Sequence, residues 1–230
     1  MELKEVKKSL KDGSLTLEKI PIELRSNQDV VLEALACENA KYSGRSALNF
    51  ASDSLRSERK FILQASKRNR LVLSWASEEI RSDRDIVLKI VRECVWALEW
   101  ASEELKDDYD IVLQAIRQTG CALLFASEEL RSDPTIVREA LKDNYLDGRD
   151  GSALKYASHK ILRNREFMLD AIKMDGANLK YASKQLRSDR EIVLQAIRHT
   201  GKSLAYASFE LRSDKSMVIA AVKSDGTALQ

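Results

Sequence analysis

The sequence is poor in residues that interrupt a chain. Two prolines and eight glycines in 230 residues exclude collagen-like sequence and Pro/Gly-rich disorder, and they argue against loop-rich β folds. Histidine is nearly missing: His159 and His199 stand far apart. Cys37, Cys94 and Cys121 are odd in number and form no metal-ligand spacing, so they read as free thiols in a reducing compartment. No apolar run approaches the ~18 residues of a membrane span. The opening Met1–Lys8 has no apolar stretch of signal-peptide type. Cytoplasm is the expected compartment, or a host cell's cytosol if the chain is a secreted effector. Charge of one sign is missing too. Lys and Arg number 38 against 36 Asp and Glu, a net +2 that disfavours a strongly basic nucleic-acid binder.

What the chain does have is repetition. Ser77-Glu78-Glu79-Ile80-Arg81-Ser82-Asp83 returns as Ser102–Asp108, as Ser127–Asp133 and as Ser183–Asp189. The unit reads L-x-[FWY]-A-S-x-x-L-R-S-D-x-x-I-V-L-x-A-I-[KR]-x-x-G-x-x. Its leading leucines are Leu17, Leu48, Leu73, Leu98, Leu123, Leu154, Leu179, Leu204 and Leu229, mostly 25 residues apart. Two intervals stretch to 31, with the extra residues in Cys37–Arg45 and Asp143–Gly151. A 106-residue period therefore relates Leu17–Ala122 to Leu123–Ala228, which fits either a duplicated four-repeat block or two separate insertions.

These markers resemble the tandem repeat catalogued as domain of unknown function 4116. The resemblance covers nearly the whole chain, and seven copies keep most marker positions. The first copy departs from it: Lys19 replaces the aromatic and Ile20-Pro21 replaces Ala-Ser. The resemblance implies a helical repeat fold and supplies no catalytic residues.

The second half of each unit has helical periodicity. Ile192, Val193, Ala196 and Ile197 share one face, with Leu194 on its flank. The residue before this helix is Asn27, Glu58, Asp83, Asp108, Asp133, Asn164, Asp189 or Asp214, and all but Glu58 are favoured N-caps. Pro134 suits a first helical position. Gly120, Gly176 and Gly201 fall where a left-handed residue would end the helix.

In the first half, Leu98, Ala101 and Leu105 form a stripe widened by Trp100 and Ala97. The repeated Ser either bonds back to a carbonyl one turn earlier or caps a new short turn. One such pair cannot bury its own apolar surface, so copies must stack. The expected fold is all-α, a right-handed αα-type solenoid of about eight 25-residue helical hairpins. Alternating α and 3-10 helices are the second reading. Residues 1–13 form an N-terminal capping helix with Leu3, Val6 and Leu10 inward. Repeats follow at 14–44, 45–69, 70–94, 95–119, 120–150, 151–175, 176–200 and 201–225, and 226–230 begin an incomplete ninth.

Two ladders are candidate binding surfaces. The aromatic one (Phe50, Trp75, Trp100, Phe125, Tyr156, Tyr181, Tyr206) reads as inter-repeat core, or alternatively as stacking platforms for bases. The basic one is Arg25, Arg56, Arg81, Lys106, Arg131, Arg187 and Arg212, broken by Leu162. Asp53, Glu78, Glu103 and Glu128 stand three residues before their cation, a spacing suited to local pairing. Lys184 and Phe209 replace the acid before Arg187 and Arg212, so a basic groove is expected toward the C-terminal half. The candidate surface is Arg131, Arg187, Arg212, Tyr156, Tyr181, Tyr206, Tyr145 and Arg149.

Asp143–Gly151 is acidic and glycine-bearing but lacks the ligand order of a calcium loop. No phosphate-binding, dinucleotide or C-x-x-C motif occurs, and neither histidine can be tied to a nucleophile and an orienting acid. No cofactor or metal site is expected. The expected function is a non-enzymatic scaffold binding a protein or peptide along an extended surface. Single-stranded nucleic-acid binding, and an accessory role beside a catalytic domain outside this chain, are the alternatives. The uncapped C-terminal end leaves room for oligomerisation.

Overall fold

The computed structural model describes residues 3–37, 46–142 and 152–225. Among them every regular element is helical and no strand occurs. The chain forms two compact units, Met1–Ala115 and Ile116–Gln230.

Each repeat consists of three pieces, so the helical hairpin gives way to the second reading. A 3-10 stretch such as Gly176–Tyr181 is followed by an extended Ala-Ser step, a single turn such as Leu186–Ser188, then an α-helix, Arg190–His199. The same succession is Val95–Trp100, Glu103–Lys106 and Tyr109–Ile116 earlier in the chain. Val72–Trp75 departs from it by being α-helical.

The break falls at Ala because its backbone is extended, as at Ala101 (φ −64, ψ 158) and Ala182 (φ −61, ψ 150). The next residue, Ser, caps the new turn rather than bonding backwards, Ser102 excepted. Ser127 and Ser183 Oγ accept from the N–H of Leu130 and Leu186 at 3.1 and 3.3 Å.

The break leaves the Ser N–H outside any helical ladder, and a donor left unpaired there would be costly. It is satisfied by the preceding repeat. Ser52, Ser77 and Ser102 donate to the carbonyls of Arg25, Arg56 and Arg81 at 3.0–3.2 Å. In the second unit Ser158, Ser183 and Ser208 donate to Arg131, Leu162 and Arg187 at 2.9–3.1 Å. One backbone bond per repeat therefore sets the register between neighbouring first segments.

The core follows the sequence pattern. The leading leucines from Leu17 to Leu204 are all buried, as are Ile192, Val193, Ala196 and Ile197. Leu229 and the ninth repeat, like the two insertions at 38–45 and 143–151, lie outside the described residues. At the N-terminus the helix Leu3–Lys11 buries Val6 and Leu10. Leu3, in the first turn, is 40 % exposed, against expectation. Lys7 and Lys11 reach that helix, pairing with Asp29 at 2.9 Å and Glu33 at 3.6 Å.

The expected N-caps form. Asn27, Asp83, Asp108, Asp133, Asn164, Asp189 and Asp214 each accept from a backbone N–H three residues on, at 3.0–3.2 Å. Glu58 makes no such bond, its side chain being one carbon longer than the cap geometry takes.

The glycines do something other than expected. The one glycine with a left-handed backbone among the described residues is Gly13, at φ 75. The helices before Gly176 and Gly201 end in extended Asp175 (φ −150) and Thr200 (φ −150). Gly176 is required for space: a Cβ built on it would sit 2.5 Å from the carbonyl oxygen of Ala196. A Cβ on Gly120 would likewise collide with the carbonyl of Ala140.

Candidate functional site

Two sets of charged residues recur along the repeats, and they differ in what they touch. The first runs along the starts of the α-helices. Arg84, in the first helical position, reaches the N-cap Asp108 of the next repeat at 2.7 Å and Asp110 at 2.8 Å. Arg165 bonds to Asp189 at 3.0 Å and to Glu191, and Arg190 to Asp214 at 2.9 Å and to Ser216. Arg59 pairs with Asp83 in the same way. Each Asp thus caps its own helix and holds the preceding repeat.

This cross-repeat link was missed by periodicity alone. Its signal is the recurring cap-then-arginine pair of Asp83-Arg84, Asn164-Arg165 and Asp189-Arg190.

The caps carry the electrostatic consequence. Asp214 is held far below the usual carboxylate range by the Arg190 hydrogen bond, then by Ser216 and the Met217 N–H. Burial raises Asp189, but the Ile192 N–H, Arg165 and the Glu191 N–H together lower it further. Asp108 behaves alike, with Arg84 and the Ile111 N–H overcoming burial. A carboxylate depressed on folding stabilises the fold above its unfolded pKa of ~3.9 and loses that effect as pH falls through the lower folded value. Thermal stability should therefore hold from neutral pH to about pH 4 and drop below it. Asp189→Asn keeps a capping oxygen but no titrating group, so its acid limb in circular-dichroism melts should be shallower. An unchanged limb would remove Asp189 from the linked groups.

The second set is the basic ladder of the first segments. The expected local pairs form in the middle repeats. Arg56 pairs with Asp53, Arg81 with Glu78, Lys106 with Glu103 at 2.8 Å and Arg131 with Glu128 at 2.6 Å. The acids are exposed, whereas the cations are only a fifth to a third exposed. Such pairs contribute ~0–1 kcal/mol each and cancel local charge more than they stabilise. Arg25 is different: it donates to the carbonyls of Ile20 and Glu18 and lies over the Phe50 ring at 5.9 Å. Arg187 and Arg212 have no acidic partner among the described residues, and Arg187 Nε is buried without a hydrogen bond, as are those of Arg56, Arg81 and Arg131.

The aromatic ladder is half-buried at every position from Phe50 to Tyr206, so it is neither sealed core nor a row of open platforms. Lys155 and Lys180 lie over the rings of Tyr156 and Tyr181 at 5.7 and 5.6 Å. Of the candidate surface, Arg187, Arg212, Tyr156, Tyr181 and Tyr206 lie in the first segments of the second unit. Arg131 lies there too, neutralised by Glu128. Tyr145 and Arg149 lie outside the described residues.

Elsewhere a cleft of about 330 Å³ in the first unit is walled mainly by Leu10, Leu17, Ala34, Ala47 and Phe50. Among the described residues no cluster of three His, Cys, Asp or Glu could hold a metal ion, and no helix is long and apolar enough to cross a membrane. Cys37, Cys94 and Cys121 are free thiols.

An all-helical architecture with the same backbone bond and the same cap in copy after copy defines a tandem-repeat protein. The family model described as Domain of unknown function (DUF4116) matches six overlapping stretches, 36–81, 58–106, 83–131, 108–163, 148–187 and 189–230. The chain belongs to that family. No curated protein and no solved structure matches it.

Proposed function

We propose that this protein is a non-enzymatic scaffold, a solenoid of about eight repeats that binds another protein or a peptide along its first segments. One observation carries the reading. The buried positions hardly change from copy to copy, whereas the exposed position three before the basic ladder is an acid in four copies and a different residue in each of the other four. It reads Ile22, Asp53, Glu78, Glu103, Glu128, His159, Lys184 and Phe209, every one exposed. A constant core under a variable outer row is the arrangement by which stacked repeats build extended recognition surfaces. Recurrence of Ser and Asp is accounted for by capping and needs no nucleophile. The free thiols are compatible with the reducing cytoplasm, the compartment proposed here for the scaffold.

Photo-crosslinking in the native cell tests this. A photoreactive residue at Lys184 should give a discrete protein adduct, and the same group at exposed Arg198 on the α-helix side should not. Loss of the adduct, or an adduct with nucleic acid alone, would overturn the scaffold reading.

A further inference from the structure

The outer row changes sign along the chain, and the change is hidden in the net +2. The first segment of 95–107 carries Glu99, Glu103, Glu104 and Asp107 against one lysine. The segments 152–163 and 176–188 contain no carboxylate at all. They carry Lys155, Lys160, Arg163, Lys180, Lys184 and Arg187 instead, with His159 and, one repeat further, Lys202 and Arg212. Lys155, Lys160, Arg163, Lys184, Lys202 and Arg212 are exposed. Within the second unit the 3-10 stretch Gly176–Tyr181 packs beside both Ala153–Lys155 and Gly201–Tyr206, so the first segments that carry these cations run side by side. At its edge Phe209 is 72 % exposed, a large apolar side chain three residues before Arg212.

Resting on the scaffold reading, we propose that this face of the second unit docks an acidic peptide segment bearing an apolar anchor. The cations left without acids at Arg187 and Arg212 supply the charge complementarity, and Phe209 supplies the desolvated contact on which interface energy concentrates. A peptide fits better than a nucleic acid. Two of the three tyrosine rings already hold a lysine ammonium, which leaves the face offering cations more than bare π surface for bases. At ~10 Å between packed helices, three repeats span ~20 Å, the length of about six extended residues.

The test uses the full chain and a fluorescent glutamate-rich peptide with a central leucine, followed by anisotropy at low salt. The same peptide with glutamine for glutamate, and a single-stranded oligouridylate, are the comparisons. Only the acidic peptide should bind well. Lys184→Glu combined with Arg187→Glu should weaken it by about tenfold or more, and Phe209→Ala by several-fold. Lys155→Glu with Lys160→Glu, at exposed positions, gives the same reading should the first pair fail to fold. Lys223→Glu, on an α-helix, should change nothing.

Absence of peptide binding at low salt, or equal binding by the reversed variants, would overturn the proposal. So would tighter binding of the oligonucleotide, or self-association of the chain in place of peptide capture. If a protein adduct forms at Lys184 in cells while the acidic peptide fails, the scaffold survives and only the charge assignment falls.

Discussion

Ala101→Asp should destabilise the Met1–Ala115 unit by about 3–5 kcal/mol, the cost of burying a charge with no partner. Ala101 is 5 % exposed and sits at the extended step between the 3-10 stretch Val95–Trp100 and the turn Glu103–Lys106. Its N–H is committed to the Leu98 carbonyl at 3.2 Å, and the following Ser102 N–H to Arg81 of the preceding repeat at 3.0 Å. The backbone cannot swing outward without breaking the bond between copies. Against a typical domain stability of ~5–15 kcal/mol, this loss lowers the melting temperature by roughly 10 °C or more, or prevents folding. Differential scanning calorimetry of Ala101→Asp beside exposed Glu99→Lys checks it. The control should shift by less than about 0.5 kcal/mol. An Ala101→Asp protein that melts like the parent would place this position in water.

Gly176→Ala offers a test of sign. Alanine in place of a glycine with ordinary backbone angles normally stabilises by ~0.4–1 kcal/mol, by restricting the unfolded chain. Here the added Cβ meets the Ala196 carbonyl oxygen at 2.5 Å, with the Ser203 hydroxyl at 3.0 Å and the His199 Cβ at 3.1 Å. The first obstacle is backbone in the last turn of a helix, a carbonyl that already accepts the Thr200 N–H at 3.0 Å, so relief requires the 3-10 stretch and the helix Arg190–His199 to separate. Overpacking of this kind costs ~1–3 kcal/mol. Gly120→Ala should behave likewise against Ala140. Urea melts in which either variant is more stable than the parent would show that these glycines serve only the backbone.

Much of this architecture is written in the sequence. The recurring Asp and Asn before each apolar helix gave the caps, because capping is a local affair of one side chain and the N–H three residues on. Glu58, the exception in sequence, is also the exception in structure. The i,i+3 pairs of the middle repeats were legible for the same reason of short range. The break inside the first half was legible only as an alternative, since Leu98, Ala101 and Leu105 fit a continuous helix equally well in a one-dimensional pattern.

Sequence by itself determined what depends on neighbours within a turn: the repeat, the buried stripe, the caps and the local ion pairs. The packing of copies decided the rest. It showed that Ser N–H groups are paired through the preceding copy, that Arg84, Arg165 and Arg190 reach forward one repeat, and that Gly176 is small to admit a carbonyl rather than to turn the chain. Each of these joins atoms more than twenty residues apart or fills a space shared by two elements. A periodic pattern records which residues face inward, but the distance between the surfaces it brings together is fixed only when they close.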